Sequence, residues 1–249
     1  MSSAVLAQIR DSLNEGTNSD ITLASALLTI EQKGAAWMVG HVLAFPEATL
    51  TVGTGEPGAG ELQGLHTAPL RETLRTYRAN PDAIERLIHG SLIQRWNDFL
   101  DSAFKCLLQE HFSGQRLCSG VKDLRVTLNL SEDTSDNVLA HVIERAVESF
   151  SFKSHMDRLA LCERSLGVRV QADTKAVLTK HVIVRNIVQH SGGQVRELDL
   201  RRLGVNYLVL CNDRQEEVRL SAGDLVRLSF CDLVDAKETL HEAAAELTK

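Results

Sequence analysis

The stretch Asn80–Phe112, NPDAIERLIHGSLIQRWNDFLDSAFKCLLQEHF, reads as one long amphipathic helix. Asn80 suits an N-cap and Pro81 a first helical position, where its missing N–H costs nothing. Ile84, Leu87, Ile88, Leu92, Trp96, Phe99, Leu100, Ala103, Leu107 and Leu108 then recur at steps of three and four. That spacing lays one apolar stripe along the helix to about residue 112, with a bend expected at His89-Gly90 and a stop at Ser113-Gly114.

The chain downstream supplies partners for that stripe. Ser131 to Asp136 offers several N-caps before Val138, Leu139, Val142, Ile143, Ala146, Val147 and Phe150, the periodic face of a second helix. Phe152, Met156, Leu159 and Leu166 mark a third, closed by Gly167 where a left-handed C-cap is needed. A fourth starts at Asp173 as N-cap, runs through Val177, Val184, Ile187 and Val188, and enters Ser191-Gly192-Gly193. Tyr207–Cys211 and Val218–Leu220, joined through Asn212-Asp213-Arg214, predict a hairpin. Ser221-x-x-Asp224 is read as opening a last helix to about Leu247. Five helices with short connections predict a mainly α fold, an up-and-down bundle with one small β-hairpin over residues 81–249.

Residues 1–80 read differently and are expected to form a separate N-terminal region of mixed, α/β character. Ile21–Ile30 is apolar, and Trp37–Val52 alternates around Phe45-Pro46-Glu47, which predicts a short strand pair there. Val52–Gly64, VGTGEPGAGELQG, lacks the Gly-Lys-Ser/Thr ending that a phosphate-cradling loop requires, so a flexible connector is the stronger reading and nucleotide binding ranks last.

Composition sets limits. With 43% hydrophobic and 24% charged residues in 249, the chain is ordinary for a globular protein. Met1–Gly16 carries Arg10, Asp11 and Glu15 without a long apolar run, and no apolar stretch reaches the length of a membrane span. A cytoplasmic protein without membrane contact is expected. Cys106, Cys118, Cys162, Cys211 and Cys231 are scattered and odd in number, and no His pair has metal spacing, so reduced thiols and neither a metal nor another cofactor are expected.

The net charge of −6 opposes non-specific coating of nucleic acid. Its distribution is uneven: Lys153–Arg202 holds ten basic and five acidic residues, a local excess of +5 that leaves −11 elsewhere. Within it Lys180, Arg196, Arg201 and Arg202 are candidate phosphate contacts, the alternative being solvated helix faces.

Val184-Arg185-Asn186-Ile187-Val188-Gln189-His190-Ser191-Gly192-Gly193 places Arg, Asn and His at the tip of an otherwise apolar helix. Asn186 and His190 share a face there, whereas Arg185 and His190 lie about 140° apart. Unwinding at the double glycine, or a dimer interface, would bring both into one groove. Histidine titrates near neutrality and suits proton transfer; arginine is permanently charged and forks onto phosphate oxygens. The same two residues also fit an ordinary helix C-terminus, where cations meet the last carbonyls.

Arg185 to Gly193, RNIVQHSGG, resembles the R-N-x-x-x-H signature of the HEPN superfamily, in the form R-N-x-x-V-H-x-x-G of RiboL-PSP-HEPN and related prokaryotic families. The order of helices and hairpin around it is similar too, so the resemblance spans about Ile84 to Lys249 and leaves residues 1–80 outside. Gln189 stands where many relatives have a small apolar residue. The resemblance implies an HEPN-type helical bundle, homodimerisation and metal-independent RNA cleavage leaving a 2′,3′-cyclic phosphate. It further implies a toxin–antitoxin or anti-phage defence setting with an antitoxin or defence-system protein partner. By the same resemblance Arg185 clamps phosphate, His190 is acid or base, and Asn186 positions. Relatives add a polar side chain from an earlier helix, for which Asp98 and Glu110 are candidates. The rival expectation is a non-catalytic HEPN dimerisation, adaptor or RNA-binding module.

Overall fold

The computed structural model describes residues 2–54, 63–118 and 138–249, and the expected N-caps at Ser131–Asp136 lie outside them. The mainly α expectation holds: eight helices and two antiparallel strand pairs are present among the described residues. No described helix is long and apolar enough to cross a membrane.

Two compact units divide the chain, Met1–Ile21 with Glu85–Lys249, and Thr22–Ile84. Where the sequence suggested one boundary at 80/81, the units divide at 84/85 and again at 21/22, inside the first helix, α1 (Ser2–Ala44).

In the larger unit, α3 (Ala83–Phe112) is the predicted central helix. Ile88, Leu92, Trp96, Phe99, Leu100, Ala103 and Leu107 are buried along it, as the periodicity requires. Leu87 is a correction, lying off that face and 69% exposed. The start is another: Asn80 closes the short helix before it, donating its N–H to Tyr77 O, and Pro81-Asp82 form a turn. The first turns of α1 pack in this unit through Leu6, Leu13, Thr17 and Asp20, where Asp20 accepts Arg95 Nε and Nη2 at 2.7 and 2.9 Å.

α4 (Val138–Ser151), α5 (His155–Leu166) and α6 (Ala172–His190) follow. Ser154 caps α5 by accepting the Asp157 N–H at 3.2 Å, and Gly167 ends it at φ +73°. Phe152, read as part of that helix, lies before it and is 84% exposed. Gln171 rather than Asp173 is the N-cap of α6, so Asp173 sits in its first turn beside the positive end of the helix dipole.

A seven-residue helix, α7 (Glu197–Leu203), was not expected. β3 (Leu208–Cys211) and β4 (Glu217–Leu220) form the predicted hairpin in the register Leu208↔Leu220 to Cys211↔Glu217. The last helix, α8 (Phe230–Leu247), begins later than the sequence suggested. Ser221-Ala-Gly-Asp224 makes a turn in which Asp224 accepts the Ser221 N–H at 2.7 Å and Gly223 takes φ +98°, a conformation no helix contains. The same Ser-x-x-Asp pattern recurs at Ser229-Phe-Cys-Asp232, and there it forms the capping box of α8. α6 packs on α8, α7 and α5, and Ile183, Val184, Ile187, Val195, Leu200, Leu208 and Val226 build one apolar cluster under its C-terminal half.

In the smaller unit, Thr22–Ala44 continues α1, which corrects the strand pair expected over Trp37–Val52. Small residues such as Gly34, Gly40 and Ala44 are compatible with either period, and Pro46 restricts the residue before it and stops the helix. The hairpin lies further on: β1 (Thr49–Thr54) pairs with β2 (Gln63–Pro69) from Thr49↔Pro69 to Thr54↔Gln63. The glycine-rich connector therefore has strands at both ends, its residues 55–62 lying outside the described ones. α2 (Leu70–Ala79) buries Leu70 and Leu74.

Candidate active site at the C-terminal end of α6

α6 stays helical through His190, so unwinding at the double glycine comes too late to bring Arg185 and His190 into one groove. Gly192 and Gly193, at φ +60° and +81°, turn the chain only after the helix has ended, and the Gly193 N–H returns to Ile187 O at 3.1 Å. The segment beyond is pinned by Val226 N–H to Gly193 O at 2.8 Å and Val195 N–H to Asp224 O at 2.9 Å. Arg86 of α3 also donates through Nη2 to Val226 O at 3.0 Å.

This scaffold sets the three motif side chains apart. His190 is exposed and its ring makes no hydrogen bond or ion pair among the described residues. Arg185 is half-buried, donating from Nη1 to Asn186 Oδ1 at 3.1 Å, while its buried Nε has no hydrogen-bond partner. Among the described residues no hydrogen bond joins Arg185 to His190, in keeping with about 140° of helix rotation between them. Asn186, one turn before His190, is on the histidine's face and holds the arginine at the same time.

Behind Arg185 lies a polar chain that sequence reasoning missed. His89 Nε2 is 3.2 Å from His181 Nδ1, and His181 Nε2 is 3.0 Å from Asp235 Oδ2, which also accepts Lys180 Nζ at 2.8 Å. The carboxylate can only accept, so His181 donates from Nε2 and receives at Nδ1, and His89 donates from Nε2. Both rings are about 1% exposed. Burial above all, then the neighbouring His181, Lys180 and Arg185, pushes His89 down to about 3. His181 is pushed down by burial against the opposing pull of Asp235, whose carboxyl its partners hold well below the usual carboxylate range. No local motif links residues 92 positions apart, so only their unusual placement on apolar helix faces signalled them.

The sign of the resulting pH dependence follows from linkage. Between pH 6.5 and about 3 the unfolded chain protonates residue 89 and the folded chain does not, so stability is full above the ordinary histidine value and falls as pH drops. Equilibrium unfolding in urea at several pH values is expected to show this loss, and His89→Phe to lessen the slope between pH 6 and 4 by about 1.4 kcal/mol per pH unit. An unchanged slope in the variant contradicts a buried neutral His89.

The remaining candidates separate clearly. Lys180 is engaged by Asp235, Arg196 forks onto Asp199 at 2.9 Å through both Nε and Nη2, and Arg201 reaches Glu197 at 2.7 Å. Of the four cations read as phosphate contacts, Arg202 alone is exposed with no ion pair among the described residues. Asp98 accepts Gln94 Nε2 at 2.9 Å and lines a cavity with Arg95, and Glu110 is buried near the far end of α3. Measured along that helix they lie about 18 and 36 Å from Arg86, the residue that meets the motif's tail. The polar groups α3 brings to α6 are instead Arg86 and His89, with Gly90 packed against Gln189.

All five cysteines are free thiols, and burial pushes Cys106, Cys118 and Cys162 up, the last to about 12, away from nucleophilic use. Among the described residues no His, Cys, Asp and Glu cluster could hold a metal ion. Comparison with protein-family models, with curated proteins and with solved structures found no match to this chain.

Proposed function

We propose that the chain is a metal-independent endoribonuclease of HEPN type, working as a homodimer in a toxin or anti-phage defence setting. The observation that carries the reading is the Arg185-Asn186-x-x-x-His190 end of α6, with an exposed histidine and an arginine fixed by Asn186 with one guanidinium nitrogen unpaired. His190 serves as the base that takes the proton of a ribose 2′-hydroxyl. The 2′-oxygen attacks phosphorus, the bond to the 5′-oxygen breaks, and that oxygen takes a proton from a second acid. The products are a 2′,3′-cyclic phosphate and a 5′-hydroxyl. Arg185 faces the charge that grows on the phosphoryl oxygens, where a permanent fork-shaped cation has its largest effect. One histidine cannot readily be base and acid in the same step, and the two motif residues diverge around the helix. A two-fold axis that sets Arg185 of one protomer beside His190 of the partner subunit reunites the diverging pair in one site, with the second acid drawn from another group.

The second reading is a non-catalytic HEPN dimerisation or adaptor module. The net charge of −6 and the internal pairing of Lys180, Arg196 and Arg201 favour it. Incubating RNA with the wild-type chain and with folded His190→Ala distinguishes the two. Cleavage by the first and not the second supports the nuclease; intact RNA with both supports the adaptor.

A further inference from the structure

Half of the ten cations counted in the sequence are paired with carboxylates, yet a basic groove exists at the other end of α6. Met156 of α5, Val170 before α6, and Leu203 at the end of α7 form the apolar wall of a cavity of about 620 Å³. Its rim carries Arg169, Lys175 and Arg202. A second cavity, about 750 Å³, shares Arg169 and Lys175 and adds Arg164 together with Asp157 and Glu163. Arg169 and Arg202 are exposed and have no ion pair among the described residues.

The carboxylates nearby have partners, and Glu163 takes Lys175 of the rim, so the groove's charge rests on Arg169 and Arg202. Glu163 accepts the Val170 N–H at 2.8 Å and Lys175 Nζ at 2.9 Å, Asp157 accepts Ser154 Oγ, and Asp199 is forked by Arg196. Asp173, in the first turn of α6, points about 100° round the helix from the groove residue Ala172. The groove is therefore a positive site on a protein of net charge −6.

Its position relates it to the candidate active site. Ala172, Ala176 and Thr179 line the groove, and Ile183, Asn186 and His190 continue the same face of α6 at alternating steps of four and three. α7 lies across that face at Ile183, packing Leu200 in one cluster with it. Groove and His190 thus flank α7 on one side of the bundle, about 21 Å apart along α6.

We infer that this groove holds a single strand of RNA upstream or downstream of the scissile phosphate, with Arg169 and Arg202 on its phosphates and the apolar wall against its bases. The inference rests on the ribonuclease reading for the identity of the strand. A free strand suits an apolar wall bordered by cations, because its bases are available to pack while its phosphates reach the rim. The reach from the rim to His190 matches a few nucleotides crossing α7, which makes the groove the part of the site that selects and anchors substrate.

The test uses the full-length chain carrying His190→Ala, so that binding is read without cleavage, and fluorescence anisotropy of a labelled single-stranded RNA oligonucleotide. Adding Arg169→Ala and Arg202→Ala is expected to raise Kd about tenfold and to flatten the slope of log K against log salt by about 1.4, the share of two phosphates. Arg145→Ala, which removes an exposed arginine paired with Glu148 elsewhere on the unit, is the charge control and is expected to change Kd less than twofold. Absence of RNA binding by the parent, or unchanged affinity and slope in the double variant, overturns the groove. Wild-type cleavage alongside unchanged binding by the double variant removes the groove and leaves the nuclease standing. Groove-dependent binding by a wild type that cleaves nothing does the reverse.

Discussion

Mixed in equal amounts and allowed to exchange subunits, Arg185→Ala and His190→Ala chains are expected to regain about a quarter of wild-type RNA cleavage, half the dimers being mixed and each holding one intact site of two. Alone, each variant is expected to fall about 10²–10⁴-fold below wild type, the usual cost of removing a proton-transfer group or a charge clamp. The reasoning is geometric. α6 is unbroken through His190, and Arg185 is tied to Asn186 and faces the buried His89–His181 pair, so one chain does not bring both motif residues together. A site completed across a two-fold axis takes its arginine from one protomer and its histidine from the other, and complementation follows. No recovery in a mixture whose subunits demonstrably exchange places both residues of each site in the same chain.

Arg158→Ala is expected to destabilise the protein by about 3 kcal/mol, the lower end of the range for breaking a buried charged pair because Asp101 keeps some water. Arg158 is 5% exposed and donates from Nη1 to Asn97 Oδ1 at 2.9 Å, and from Nη2 to Asn97 O at 2.9 Å and Asp101 Oδ1 at 2.6 Å. Its guanidinium also lies 5.0 Å from the centre of the Phe150 ring, which stacks on Phe104 at 4.2 Å. One side chain therefore joins α5 to α3 and to the last turns of α4. Burial already raises Asp101 toward its neutral form, and Arg158 is the group that opposes this. Urea unfolding with an unchanged m-value and a lower midpoint is the expected readout; a change below about 0.5 kcal/mol, the size of an ordinary surface substitution, contradicts the assigned role.

The parts of the fold that were legible in the sequence are those written in local chemistry. The stripe from Ile88 to Leu108 declared α3, Gly167 declared the end of α5, and two short β-prone runs around Asn212-Asp213 declared the hairpin. α1 escaped because Ser, Asn, Thr and Gly dilute its periodicity, leaving Leu6, Leu13, Thr17 and Asp20 as a mixed polar and apolar contact face. α7 escaped because seven residues with four charges carry no period to read. Two identical Ser-x-x-Asp patterns offered two starts for α8, and Gly223 decided against the first.

The candidate site was legible in residue type and not in arrangement. Arg185, Asn186 and His190 stand at the end of α6 as expected, but helix continuity separates the first from the last. Counting cations placed a charge excess between Lys153 and Arg202 without revealing which are neutralised. Lys180, Arg196 and Arg201 find carboxylates three or four residues away or across a helix pair, while Arg169 and Arg202 meet at the groove. The His89–His181–Asp235 chain depends on three helices meeting, which no local pattern encodes.

The central claim is tested most directly by incubating total RNA and labelled tRNA with purified wild type in EDTA, beside His190→Ala, and analysing the ends of the products. Cleavage is expected to survive the chelator, leave 2′,3′-cyclic phosphate ends and disappear in the variant. Intact RNA after incubation with folded, dimeric wild type, or cleavage that stops in EDTA or leaves a 3′-hydroxyl, contradicts it.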